Sequence, residues 1–310
     1  MAMTPAQARA INPLLTEVAR GYTNQEFVGL KLFPYVPVAQ RGGQIVKFGK
    51  EQFRLLNTER APGANVASTD FEYSTEGYAL KQHALAGKVP IELMEDASQV
   101  PGVDLGKVAV NQVMEQIGLK LEYKQATLAR TAGSYASENK ATLSGTSQWS
   151  HTSSTPTKDI KTAREAIRSK IGRYPNILIL GAPVFAALTE HAAIVDRIKY
   201  TGRDSITPQM LAQLLNVDEV QIGGSVYMNA AGAFVDVWGK DAILAYSAPV
   251  SLAQMGSPSF AYTYRLKNHP VVNQPYFNEA NMSWYYRVVD EHDPVMTGAD
   301  AGYLFTNAVA

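Results

Sequence analysis

The chain contains no cysteine among its 310 residues. Disulfide scaffolds, Cys-ligated zinc, iron–sulfur clusters and cysteine nucleophiles are therefore excluded. Charge is scarce, at 18% of residues, against roughly a quarter in soluble globular proteins. Neither sign is in excess: 28 Lys and Arg stand against 28 Asp and Glu, a formal net charge of zero. Dedicated nucleic-acid binders and polybasic membrane binders are usually strongly basic, so the balance argues against both. It also leaves little repulsion to keep copies of the chain apart. Long apolar runs are missing too. The most apolar stretch, Ile177 to Leu188, is broken by Gly181 and Pro183 and is too short to span a bilayer. Met1 to Arg20 has no apolar signal-peptide core and carries Arg9, Glu17 and Arg20. The expectation is a soluble protein made in the cytoplasm, without a membrane partner. A chain of 33.7 kDa with 46% hydrophobic residues can bury a sizeable core in one large domain or two small ones.

Residues 1–30 read as an arm. Asn12 before Pro13 is a helix start, an Asx cap followed by Pro at the first helical position, and the helix ends near Gly21. Docking on its own core and reaching to a neighbour are both open readings of this arm. In residues 31–92, Val46 and Phe48 alternate with polar neighbours after Gly42-Gly43, Pro62-Gly63 marks a turn, and Phe71, Tyr73 and Thr75 alternate again. The pattern slips by one at Gly77, which predicts a β-bulge. The segment reads as one long β-hairpin whose arms, at about 3.3 Å per residue, reach roughly 40 Å. Such a ribbon is marginal alone in water and needs something to lie on. Residues 1–60 carry eight basic and four acidic side chains, residues 61–100 two basic and six acidic. That sorting reads either as solvated faces or as charges that meet complementary charges on a neighbouring copy.

Val110, Val113, Met114, Ile117, Leu121 and Leu128 predict one long helix from 104 to about 131, with Gly106 and Gly118 as weak points that packing must support. Residues 132–157, rich in Ser, Thr, Gly and Asn, read as a loop or loose hairpin around Trp149. Residues 157–250 read as an α/β unit. It has a helix stopped by Gly172, a buried strand Ile177–Leu180, helices opening at Pro183 and at Thr207-Pro208, and strands at Glu219–Ile222, Ala233–Trp238 and Ala242–Tyr246. From Phe260 onward the pattern returns to β, with strands around Tyr262, at Ser283–Asp290 and at Gly302–Asn307.

Catalytic motifs are absent. No two of the five histidines (His83, His151, His191, His269, His292) stand at i, i+4, and H-E-x-x-H, Walker A and G-x-S-x-G do not occur. The dense polar run Asp290-Glu291-His292-Asp293 could bind a cation, but before Pro294 it reads better as a solvated turn. Asn176–Leu188 mimics a strand–turn–helix nucleotide site with one glycine, Gly181, where the dinucleotide fingerprint needs three. Glu92, Glu95 and Asp96 read as an acidic approach to the long helix rather than paired catalytic carboxylates. Trp284, Tyr285 and Tyr286 read as core or interface rather than a base-stacking platform.

The order arm, long hairpin, long helix, α/β unit, terminal strands resembles the major capsid proteins of tailed bacteriophages. Theirs is the Hong Kong-type coat fold, an α+β architecture shared with encapsulin shells and the herpesvirus capsid floor. The resemblance covers essentially the whole chain. Its local wording lies in Tyr22–Gly29, Leu32-Phe33-Pro34, Val36-Pro37-Val38, Arg41-Gly42-Gly43, Lys47-Phe48-Gly49-Lys50, Asn176–Gly181 and Asp196–Thr201. It implies an extended loop (31–92) that overlies a neighbouring subunit and a peripheral domain (93–156 and 250–310) with the long helix as spine. It implies an axial domain (157–249) whose loop Thr201–Ser205 meets its copies at the capsomer centre. Intersubunit contacts are then expected at Lys47, Lys50, Arg54, Arg60, Asp70, Glu72 and Glu76 on the loop and at Arg203 and Asp204. Some members crosslink through a lysine on the extended loop; no acceptor Asn or catalytic Glu matches here, so that reaction is not carried over.

The implied function is structural. Hexamers and pentamers of the chain form an icosahedral head shell in the host cytoplasm, around double-stranded DNA touched weakly and without sequence preference. A separate scaffolding protein, a portal and a decoration protein are the further partners implied; no cofactor, metal or catalytic residue is. The alternatives are an encapsulin-type nanocompartment and, from a different class, a cytoplasmic α/β enzyme.

Overall fold

A computed structural model describes residues 11–46, 55, 58–60, 62–63, 65–66, 75–98, 104–198, 206–252 and 258–310. Asn12 caps α1 (Pro13–Gly21), its side chain accepting from Leu15 N at 3.0 Å. Next come α2 (Gly29–Leu32), β1 (Tyr35–Val38), β2 (Gly42–Val46), β3 (Thr75–Ala79), β4 (Lys81–Pro90) and α3 (Ile91–Ser98). The long helix α4 (Leu105–Arg130) opens on an Asp104 cap. Then follow β5 (Lys140–Thr142), α5 (Pro156–Ile171), β6 (Ile177–Gly181), α6 (Ala182–Glu190), α7 (Ala192–Ile198), α8 (Pro208–Leu215), β7 (Glu219–Gly223), β8 (Val226–Met228), β9 (Phe234–Asp236) and β10 (Ala242–Ala245). The chain ends with β11 (Ala261–Leu266), β12 (Val271–Val272), β13 (Tyr276–Asn278), β14 (Ser283–Met296) and β15 (Gly302–Thr306).

A six-stranded sheet is built around β14, which takes β11, β12 and β13 along one side and β4 along the other, with β1 beyond β11 in parallel. Helix α4 lies across it, and its two glycines have a packing reason. A Cβ at Gly106 would come within 2.8 Å of the Tyr286 ring, and one at Gly118 within 2.7 Å of the Phe27 ring. The α1 segment is docked on this body from residue 11 on: Asn12 N donates to Val272 O, and Val272 N donates to Thr16 Oγ1.

A five-stranded sheet, β5-β15-β10-β6-β7, forms the second layer. All of β6 and β10 is buried, as continuous apolar runs covered on both faces should be. Helix α5 presents Ile160, Ala163, Ile167 and Ile171 to it and stops where Gly172 takes φ 66°, the left-handed conformation glycine tolerates. Trp149, Trp238, Phe260 and Phe305 join the same core.

Three expectations change, and one choice left open is made. Among the described residues the ribbon pairs only over β2 and β3, and β1 and β4 sit in the six-stranded sheet and not in a hairpin spanning 31–92. No bulge falls at Gly77, which faces Gln44 in unbroken register; the phase slip is at Leu80, where the chain leaves β3 for β4 and its N–H donates to Arg41 O. The terminal strand β15 pairs with β10 and β5, so it lies in the five-stranded sheet with β6 and β7 and not in the six-stranded sheet with β11 and β14. Of the two open readings of 132–157 the loop holds: Trp149 is fully buried and tied to the C-terminal segment through Ala308 O, and β5 pairs with β15.

Candidate functional site

The Asp290–Asp293 run is neither a solvated turn nor a metal centre. It lies inside β14, because the strand continues through Pro294 to Met296, paired with β11. Asp290, Glu291 and His292 are each 1% exposed. Strand alternation sends Glu291 to one face of the sheet and its neighbours to the other.

On one face Arg265 grips Asp290 with two hydrogen bonds, Nε–Oδ1 at 2.9 Å and Nη2–Oδ2 at 2.7 Å, while its guanidinium lies 4.6 Å over the Tyr35 ring. His292 Nδ1 is 3.0 Å from Asp290 Oδ2, and its ring stacks on His83 of β4 at 4.3 Å. Asp293, one residue beyond the stretch paired with β4, forms an ion pair with Lys124 of α4. On the other face Glu291 takes Arg41 in a fork, 2.6 and 3.0 Å, with Gln82 Nε2 at 3.3 Å and His269 Nε2 at 3.9 Å. Arg41 is the residue before β2, and Gln82 and His83 follow the end of β3 by three and four residues. The cluster thus fastens both ends of the ribbon to the body. The Tyr78 ring also stacks on Tyr264 at 4.8 Å, and Ile45 is buried with Val36, Val38 and Tyr262.

Two buried carboxylates line the same cavity of about 650 Å³ between the N-terminal segment, α4 and β14, and they titrate in opposite directions. Burial pushes Asp290 up, but the His292 hydrogen bond and the Arg265 charge outweigh it and hold the carboxyl at about 2. Glu122, 1% exposed, accepts from Val28 N, Gly29 N and Trp238 Nε1, all neutral, and burial prevails and raises its pKa. Burial, then the neighbouring His292, lowers His83.

Of the expected contact residues, Lys47, Lys50, Arg54, Asp70, Glu72, Arg203 and Asp204 lie outside the described residues. Glu76 falls in β3 opposite Ile45, and Arg60 is exposed. Two apolar residues of the ribbon segment stand almost bare, Leu55 at 99% and Val66 at 78% exposure. The residues that hold the ribbon, Arg41, Arg265, His83 and the acidic run, were not singled out for that role from the sequence. The available signal was the short apolar run Pro294-Val295-Met296 after Asp293, which lets the strand begun at Ser283 continue through the polar run. Among the described residues no cluster of three or more His, Cys, Asp or Glu could hold a metal ion, and no helix is long and apolar enough to cross a membrane.

An α+β body with a long helix across a β sheet, a second buried sheet and a ribbon leaving from the first is the architecture of phage capsid shells. The capsid of cyanophage P-SCSP1u superposes with a TM-score of 0.59 over 92% of this chain and 89% of that one at 8% identity, a likeness of fold alone. A crystal structure of a phage-related protein from Bordetella bronchiseptica RB50 is nearer, with a TM-score of 0.83 and 44% identity over 97% of this chain and 98% of that chain. Residues 125–277 match the family model described as phage major capsid protein E. The major capsid protein of Burkholderia phage BcepMu is 37% identical over 97% of both chains. The chain belongs to the family of phage major capsid proteins, which are structural shell components and not enzymes.

Proposed function

We propose that copies of this chain assemble as hexamers and pentamers into the icosahedral head shell of a tailed phage, formed in the host cytoplasm and enclosing double-stranded DNA. The carrying observation is the ribbon: β2 and β3 pair only with each other among the described residues, and Leu55 and Val66 beyond them are left in water. A neighbouring subunit that covers those side chains gives the ribbon the support a two-stranded element lacks alone. Many modest contacts of this kind are multiplied by closed symmetry. Lys47, Lys50, Arg54, Arg60, Asp70, Glu72 and Glu76 lie in this contact, and Arg203 and Asp204 meet their copies at the capsomer centre. The six-stranded sheet with α4 is the peripheral body, and the five-stranded sheet is the axial one. A separate scaffolding protein, a portal and a decoration protein complete the assembly, and zero net charge fits weak, sequence-blind DNA contacts.

Deleting residues 57–65 tests the reading. The expected product is a soluble, folded chain that gives no closed particles by light scattering and electron microscopy. Normal shells from the deletion would overturn the overlying role of the ribbon.

A further inference from the structure

Strand β4 is hydrogen-bonded to β14 in unbroken register over all ten residues, Lys81 opposite His292 through Pro90 opposite Ser283. Among the described residues no strand lies along its other side. Lys81, Gln82, Ala84, Leu85 and Lys88 are exposed, Leu85 at 39%. A row of unpaired N–H and C=O groups on a long, regular edge is a template for another strand, and proteins normally blunt such edges with charge, proline or a bulge. Here charge stands only at Lys81 and Lys88 and proline only at Pro90. The six residues between the lysines, Gln82 to Gly87, are uncharged at neutral pH and unbulged, a stretch of roughly 20 Å.

We propose that this edge is an intersubunit contact in which β4 pairs antiparallel with β4 of a second copy about a two-fold axis, joining two six-stranded sheets into one. This rests on self-assembly as argued above and adds a second, separate contact. An identical strand is always self-complementary in this arrangement. A two-fold axis normal to the sheet keeps each side chain on its own face, so only residues of the same parity can stand opposite one another. Lys81 and Lys88 differ in parity and never meet, which removes the repulsion of like charges facing across strands. With the axis at Leu85, Leu85 faces its own copy, Ala84 faces Ala86 and His83 faces Gly87, so no two charged or two bulky polar side chains are opposed at the centre.

The absence of cysteine makes the test clean. Single variants His83→Cys, Ala84→Cys, Leu85→Cys and Ala86→Cys are assembled, oxidised and run on non-reducing gels. A residue on the axis faces its copy at a Cα separation of about 4.5–5.5 Å, within disulfide reach. The expected result is a covalent dimer at one of the four positions and at least tenfold less at its neighbours. No dimer at any position, or equal dimer at all four, overturns the pairing. A second variant, Leu85→Lys, places like charges near the axis. It is expected to keep the melting temperature of the unassembled chain and to lower the assembled fraction at least tenfold; normal particles overturn the pairing. Wild-type particles without crosslinks would end the β4 contact and leave assembly standing, whereas wild-type chains that form no particles would end the assembly reading itself. Crosslinking of β4 cysteines to another segment would assign the edge to a different occupant and overturn the proposal.

Discussion

The two sheets of this protein bury their centres by opposite means. In the five-stranded sheet, β6 and β10 are wholly buried and nearly wholly apolar, with Leu178, Ile179, Leu180 and Leu244 all at 0% exposure. In the six-stranded sheet the middle of β14 buries Asp290, Glu291 and His292. Apolar burial is non-directional and sums with area. A buried ion holds only if a partner of opposite charge stands at hydrogen-bond distance, so it contributes little net stability and dictates which strand must lie beside it. The apolar sheet carries the stability of the body. The ionic one fixes where the ribbon is rooted, because Arg41, Gln82 and His83 reach the acidic run only in the observed register.

The largest expected effect is in the apolar centre. Trp149→Ala empties a fully buried site packed on Phe305 at 5.0 Å and removes the indole hydrogen bond to Asp159. A loss of about 4–5 kcal/mol is expected from denaturant unfolding, with no dependence on pH between 5 and 8. A loss below about 1.5 kcal/mol would show that this layer is not where the fold is held.

Arg265→Met comes next, at about 3 kcal/mol near neutral pH, since it strands a buried carboxylate but leaves the His292 contact. Its signature is acid behaviour. A carboxyl held at about 2 against an ordinary 3.8 contributes stability that is complete above about pH 4 and lost as pH falls through 2. The wild-type chain should lose on the order of 2 kcal/mol across that window from this group, and the variant clearly less. Equal acid limbs would sink the assignment.

The histidine stack gives a smaller effect of the same sign nearer neutrality. A histidine lowered by burial favours the folded state while neutral, so its contribution is present above its ordinary 6.5 and erodes as pH falls below it. His83→Phe keeps a ring on His292 and removes this titration. The drop in melting temperature between pH 7 and pH 5 should therefore be smaller in the variant than in the wild type.

What could be read from residues alone follows the same division. The apolar layer was legible: the periodicity of α4 and α5, the Asn12, Thr207 and Gly172 caps and the run at β6 are local signals, and each element forms where its spacing places it. The ionic layer was not. Asp290–Asp293 looks like a turn because its partners, Arg41, Arg265 and Lys124, lie 25 to 250 residues away in the chain. The assignment of β15 to the second sheet and of β4 to the first failed for the same reason, since strand partners are set by long-range register and not by alternation. The resemblance to phage coat proteins supplied the family, and the curated relative at 37% identity shows it.

The smallest effect sharpens the comparison inside one hairpin. Strands β8 and β9 pair Met228 with Phe234 and Tyr227 with Val235, so the first pair shares one face and the second the other. Tyr227 meets the Tyr123 ring of α4 edge-on at 4.8 Å, while Met228 and Phe234 are 66% and 76% exposed. Phe234→Ser removes apolar surface that is already in water and one cross-strand contact, so the unassembled chain should lose no more than about 0.5 kcal/mol. Tyr227→Ala loses an aromatic pair and its packing on α4 and should cost about 1–2 kcal/mol. The order of the two, read by thermal unfolding of unassembled chain, is the decisive quantity. If Phe234→Ser proved the costlier, the hairpin would be turned over, its bare face would be the buried one, and the contrast between a face that holds the fold and a face left open would fail at its simplest example.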